Sequence, residues 1–281
     1  MISPGTGTDC YYRTTNCRRS QGGSRMKELL LAQPAGARTE GENFGLTRAH
    51  MAYRIGPGPR LLGTRLPEGL RGGVMQVGCA GFDGGGDPVE CCRRILGECR
   101  RRGVRGIVCD FEGAPSDCLM KLVRILDRNC AAQGWALYVP ESCASSAPAG
   151  RVLIPSAMTH GTLERRLSEA AERYGPERVV LAVEWVREDF PLPARGRGRP
   201  LAQEELESMI RRLEPAVFFD RGLCAHYFTY MAGPKAYFVL FDTPRSIREK
   251  LDLADRLGVR GALLPGPELE PHLDEIFRPD I

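Results

Sequence analysis

A parallel β/α barrel is the fold class this sequence predicts, and three observations carry it. From Gly73 onward, short apolar stretches suited to strands alternate with longer stretches whose apolar residues recur at helical spacing. The chain has 281 residues, enough for one barrel of ordinary size. At its centre, Arg105-Gly106-Ile107-Val108-Cys109-Asp110-Phe111-Glu112-Gly113 reads as a buried strand ending in two carboxylates. Side chains alternate along a strand, so Asp110 and Glu112 share one side and Phe111 takes the other. A β/α barrel carries its catalytic groups at such C-terminal strand ends.

Taken in order, residues 1–60 are rich in Gly, Thr, Arg and Ser and show little periodicity beyond a short helical pattern at Met26 to Gln33. They are expected to be a disordered or non-native extension, with a plausible start at Met51, leaving residues 61–281 as one barrel domain. Gly73 to Ala80 is the first clear strand. The glycine-rich loop after it holds Asp83, and Asp87-Pro88 is a good N-cap and N1 pair. The helix from Pro88 to Arg102 carries Val89, Cys92, Ile95, Leu96 and Cys99 on one stripe. The central strand and a helix from Ser116 to Gln133 follow. Trp135 to Pro140 is a strand that ends at Glu141, and Arg151 to Ala157 is another, with Ser156 near its end. A helix opens at Thr162 and stops at Gly175-Pro176. Arg178 to Val186 is strongly β, which puts Glu184 and Trp185 near that strand's functional end. A β-hairpin is expected within residues 216–241, as a small insertion. A last helix and a last strand, Gly261 to Gly266, close the chain. Six barrel-type strands are countable this way, so the barrel is either incomplete or draws its first two strands from residues 51–70.

Composition narrows the classes. Apolar content of 42% and charged content of 26% fit a soluble globular protein. No apolar run is long enough to span a bilayer, and Leu29 to Ala32 is too short for a signal peptide, so a cytoplasmic location is expected. Eleven cysteines with no Cys-x-x-Cys read as small core residues in a reducing compartment. With only four histidines and no ligand spacing, neither a metal nor another cofactor is expected. The basic loop Arg195 to Pro200 holds no aromatic residue to stack a base, so nucleic acid is not an expected partner.

Two stretches resemble the family 18 glycoside hydrolases, the chitinases and their relatives. That family carries Asp-Gly-x-Asp-x-Asp-x-Glu at one strand end; Gly106, Asp110 and Glu112 match it, while Arg105 and Val108 replace the first two aspartates. The stretch from Phe241-Asp242 through Ser246, Lys250 and Leu251 to Gly258 and Gly261 is similar to the family's last helix and strand. The resemblance implies a (β/α)8 TIM-type barrel. It also implies a substrate-assisted, retaining hydrolysis of an N-acetylhexosamine-containing glycan, peptidoglycan or chitin-like. Glu112 would be the general acid, and Asp110 would orient the acetamido group. Tyr138, Glu141, Ser156, Glu184, Trp185 and Asp83 are the candidate substrate-binding residues. The nearest resemblance is to spore-associated relatives in Gram-positive bacteria, which implies action in a mother cell or forespore. The family's last-strand tryptophan is replaced by Leu264 or Pro265, and Ile154 to Ala157 offers no tyrosine. Two further readings stay open: a degenerate, non-catalytic carbohydrate-binding barrel, and an unrelated β/α-barrel enzyme.

Overall fold

The structure, a computed structural model, describes residues 26–34, 37, 41–63, 71–158, 161–194 and 196–278. Strands β1 (Glu28–Pro34) and β2 (Thr47–Gly56) come first, and β3 (Arg60–Gly63) folds back on β2 as a hairpin. Then come β4 (Val74–Gly78), helix α1 (Pro88–Arg102), β5 (Gly106–Asp110) and α2 (Asp117–Gln133). They are followed by β6 (Ala136–Pro140), β7 (Arg151–Pro155), α3 (Leu163–Tyr174) and β8 (Val179–Ala182). The chain next builds β9 (Arg187–Pro191), β10 (Arg199–Pro200), α4 (Gln203–Leu213), β11 (Phe218–Asp220), β12 (Ala225–Ala232) and β13 (Lys235–Phe241). It finishes with α5 (Pro244–Arg256), β14 (Gly261–Pro265), α6 (Gly266–Leu269) and α7 (Leu273–Phe277).

Eight parallel strands form a closed barrel in the order β1-β14-β8-β7-β6-β5-β4-β2, and β1 pairs with β2 to shut it. The barrel is therefore complete, not short of strands. The expectation that residues 1–60 form an extension is corrected at 28–34, 47–56 and 60, which supply β1, β2 and the first residue of β3; residues 1–25, 35, 36 and 38–40 lie outside the described residues. Met51 sits inside β2, not at a start. The physical reason is burial on both faces. A strand between two parallel neighbours needs no alternation, so Leu29 to Ala32 is a short apolar run without a strand's period. In β2 the register slips between Met51 and Tyr53, which also breaks the pattern.

Capping fixes the helices where the sequence places them. The Asp87 carboxylate accepts from the Val89 amide at 2.8 Å with Pro88 at the first turn, and Gly103 ends α1 at φ 64°. Cys91, Cys92, Ile95, Leu96 and Cys99 are the buried face of α1; Val89, expected on that stripe, is exposed. Thr243, one residue past Asp242, caps α5 in a capping box with Ser246.

Two cores result. Leu30, Ala32, Ala49, Val74, Val108, Tyr138, Leu153 and Val180 fill the inside of the barrel. Larger clusters lie between strands and helices. The insertion is bigger than the small hairpin expected near 216–241. It runs from Arg187 to Phe241 as a five-stranded antiparallel sheet, order β10-β9-β13-β12-β11. One face of that sheet packs on α4 through Leu206, Met209, Phe228, Val239 and Phe241.

Candidate active site

The barrel's inner face dictates what reaches its C-terminal mouth. Val74 on β4 and Val108 on β5 point inward, so Gln76 and Asp110, two residues further on, do as well. The Gln76 side-chain amide donates to Asp110 Oδ2 at 3.0 Å. Asp110 is the last residue of β5 and exposed to the mouth; Glu112 follows in the loop and is also exposed. Phe111 between them is buried in the outer core and anchors the turn. At the far end of the loop, Ser116 caps α2 by accepting from the Leu119 amide at 3.3 Å. The alternation read from the sequence holds as far as Asp110, the last residue of β5; Glu112 lies beyond the strand, in the exposed loop before α2.

Ser156 and Glu184 meet across the ends of β7 and β8. The Glu184 amide donates to Ser156 Oγ at 2.9 Å, and the Ala157 amide donates to Glu184 Oε2 at 3.1 Å. Burial pushes the Glu184 carboxyl up from the ordinary carboxylate range, against the opposing effects of the Ala157 hydrogen bond and the Arg197 charge. Asp83 lies on the same rim as a clamp. It accepts from Gly85 at 3.1 Å and from Gly58 at 3.1 and 3.2 Å, tying the β4–α1 loop to the β2–β3 turn. Those bonds, Gly85 first, hold its carboxyl below the usual range.

The other three sequence candidates sit elsewhere. Tyr138 is inside the barrel, but its hydroxyl donates to Glu28 Oε2 at 2.9 Å and accepts from Arg151 at 2.6 Å. Glu28 and Arg151 are the first residues of β1 and β7, so this phenol serves the N-terminal end, opposite Asp110. Glu141 turns to the helix layer, where it meets Arg166, Tyr174 and Arg173 of α3. Trp185 packs on the outer core and stacks on His272, with ring centroids 5.2 Å apart. The mouth positions at the ends of β6, β7, β8 and β14 are Pro140, Pro155, Ala182 and Pro265.

Sequence reasoning missed Gln76, although counting two residues on from Val74 finds it. Among the described residues, no group of three or more His, Cys, Asp and Glu side chains could hold a metal ion. Nor is any helix of theirs long and apolar enough to cross a membrane.

The architecture is a closed β/α barrel with Asp-x-Glu at the end of its fourth barrel strand and an antiparallel insertion after its seventh. Solved structures bear out that fold. The spore cortex-lytic enzyme SleL of Bacillus megaterium matches with a TM-score of 0.61 at 13% identity, over 88% of this chain and 72% of that one. A chitinase from Chromobacterium violaceum matches with a TM-score of 0.61 at 17% identity, over 84% of this chain and 93% of that one. The GH18 chitinase of Cycas revoluta, in complex with (GlcNAc)3, matches with a TM-score of 0.56 at 15% identity, over 89% of this chain and 97% of that one. No protein-family model matches the sequence, and no curated protein matches it. The chain has a divergent family 18-like barrel fold.

Proposed function

We propose that this protein is a glycoside hydrolase acting on an N-acetylhexosamine-containing glycan, peptidoglycan or chitin-like, by a substrate-assisted retaining mechanism. One observation carries the reading: Asp110 ends β5 at the C-terminal mouth, held by Gln76, and Glu112 follows two residues on in the exposed loop. Glu112 gives its proton to the glycosidic oxygen as the C1–O bond breaks. The acetamido carbonyl oxygen of the same sugar attacks C1, and Asp110 accepts a hydrogen bond from the acetamido N–H to aim it. Water then releases the sugar while Glu112 takes a proton back. The solved neighbours support the substrate class: one is a spore cortex-lytic enzyme, and another is a chitinase that holds (GlcNAc)3.

A second reading, a glycan-binding barrel without turnover, is favoured by two placements. Tyr138 is committed to the far end, and Pro265 occupies the mouth end of β14. Release of reducing sugar from chitooligosaccharides and spore-type peptidoglycan separates the two. Turnover by the wild type that falls about 100-fold or more in Glu112→Gln supports the hydrolase. Absent turnover with fragment binding that survives the substitution supports the binding barrel.

A further inference from the structure

Asp110 has a strand on each side, and only one of the two offers it a donor. On β4 the register pairs Gly78 with Asp110 and Gln76 with Val108. On β6 it pairs Tyr138 with Val108, and Pro140 is the next inward residue. Gly78 has no side chain and Pro140 has no donor. The Tyr138 hydroxyl is committed to Glu28 at the other end of the barrel. That leaves Gln76, whose side-chain amide reaches Asp110 Oδ2 at 3.0 Å.

The amide has no other commitment. Gln76 is 8% exposed, and its Oε1 is buried with no hydrogen-bond partner among the described residues. The opposite orientation would turn that oxygen toward the carboxylate, acceptor against acceptor. The fold therefore carries a buried, unpaired carbonyl oxygen while one N–H is kept on Asp110. Burying such an oxygen costs stability, so packing alone does not account for a glutamine here. Ala49, Val74 and Val108, on the same inner wall, are the apolar residues that packing favours. Asp110 is exposed, and its Oδ1 accepts no hydrogen bond from a described residue.

We propose that Gln76 is a positioning residue: by holding Oδ2 it fixes the rotamer of Asp110 and leaves Oδ1 to accept from the acetamido N–H of the glycan. This deepens the glycan reading above and rests on it. A carboxylate at a strand end turns freely about its two side-chain torsions. A bond from an amide embedded in the neighbouring strand restricts both, so the acetamido group meets an acceptor already aimed. Gln76 touches no sugar in this arrangement and acts only through Asp110.

The test replaces the amide with a thioether of similar length, Gln76→Met, in the full chain. In hydrolysis of chitooligosaccharides, kcat should fall about tenfold or more with KM within about threefold, since aim and not contact is removed. Added to Asp110→Ala, the same substitution should lower the residual kcat by less than about twofold, because its route to the sugar is already gone. The melting temperature of Gln76→Met should equal or exceed that of the wild type, because the fold sheds a buried unpaired oxygen and Asp110 stays in water. A kcat within about twofold of wild type overturns the proposal, as does a loss that recurs in full on the Asp110→Ala background. A clearly lower melting temperature would make Gln76 a residue of the fold and overturns it as well. A wild type that binds (GlcNAc)3 without turnover removes the hydrolase reading alone. Calorimetric dissociation constants then replace kcat in the same cycle, with binding about tenfold weaker expected in Gln76→Met and no further loss on Asp110→Ala. Neither turnover nor binding by the folded wild type removes the glycan reading and the proposal together.

Discussion

At the scale of single residues, the strongest commitments lie away from the mouth. Lys250 and Asp242 are 1% and 0% exposed at their side chains and bridge at 2.7 Å. Ser246 donates to Asp242 Oδ1 at 2.6 Å, and the Val186 amide donates to Oδ2 at 2.9 Å. The carboxylate thereby ties the first turn of α5 to the chain leaving β8 for the insertion. Lys250→Met strands that carboxylate without its cation and should cost about 3–5 kcal/mol in urea unfolding. A milder case is Glu98, which accepts from Arg101, Tyr53 and Arg102. Its carboxyl is pushed down to about 2 from an ordinary 4.5, with the Arg101 bond as the main cause and burial opposing it. A depressed folded pKa means stability that is present above pH 4.5 and lost as pH falls toward 2. Glu98→Gln should remove on the order of 2 kcal/mol at neutral pH and flatten the acid limb of a stability–pH curve. Among candidate site residues, the inward side of Asp110 was legible because period two decides which side of a strand a group takes, and the same count from Val74 reaches Gln76, which sequence reasoning missed. Tyr138 was not fully legible. The period puts it inside the barrel, but the end it leans toward is set by Glu28, a partner 110 positions away.

At the scale of elements, the parts with local signals were readable and those held by neighbours were not. The helices α1, α2 and α3 declare themselves through Asp87-Pro88, Ser116 and Thr162, each bonding an amide of the first turn, while α5 is capped by Thr243, one residue past the Asp242 that the sequence suggests. The strand β1 has no such signal: its backbone is paired by β14 on one side and β2 on the other, from over 200 residues away and from the next strand. A protein started at Met51 lacks β1 and the first four residues of β2. It should leave the edges of β14 and β2 unpaired and fail to fold cooperatively, read by circular dichroism and by the loss of a thermal transition. A two-state melt in that truncated chain would show that the barrel does not depend on its closing strand. Gly261 makes the same point with one atom. A Cβ there would run into the Glu28 carbonyl where β1 crosses β14, so Gly261→Val should mimic the truncation.

At the scale of the whole molecule, the two ends of the barrel are chemically unlike. The N-terminal end is closed by Glu28, bridged to Arg151 at 2.6 Å and to Arg260 at 2.7 Å, with the Tyr138 hydroxyl between Glu28 and Arg151. Burial, with Glu28 beside it, keeps that phenol protonated far above its ordinary range. The C-terminal end holds Asp110, Glu112 and Glu184 and stays open to solvent. Barrels divide labour this way, with stability at one end and chemistry at the other. The division predicts that the ends can be altered separately. Glu28→Gln leaves Arg151 and Arg260 without their shared carboxylate and should cost on the order of 2 kcal/mol in urea unfolding. It should leave the dissociation constant for (GlcNAc)3 within about threefold, measured where both proteins are folded. On the hydrolase reading proposed above, Glu112→Gln should do the reverse, removing turnover with a midpoint in urea close to wild type, because an exposed carboxylate supports little of the fold. A tenfold weaker glycan affinity in folded Glu28→Gln would mean that the polar plug sets the geometry of the mouth through the inner core. Tyr138, Val108 and Leu153 would be the packed residues that carry that coupling.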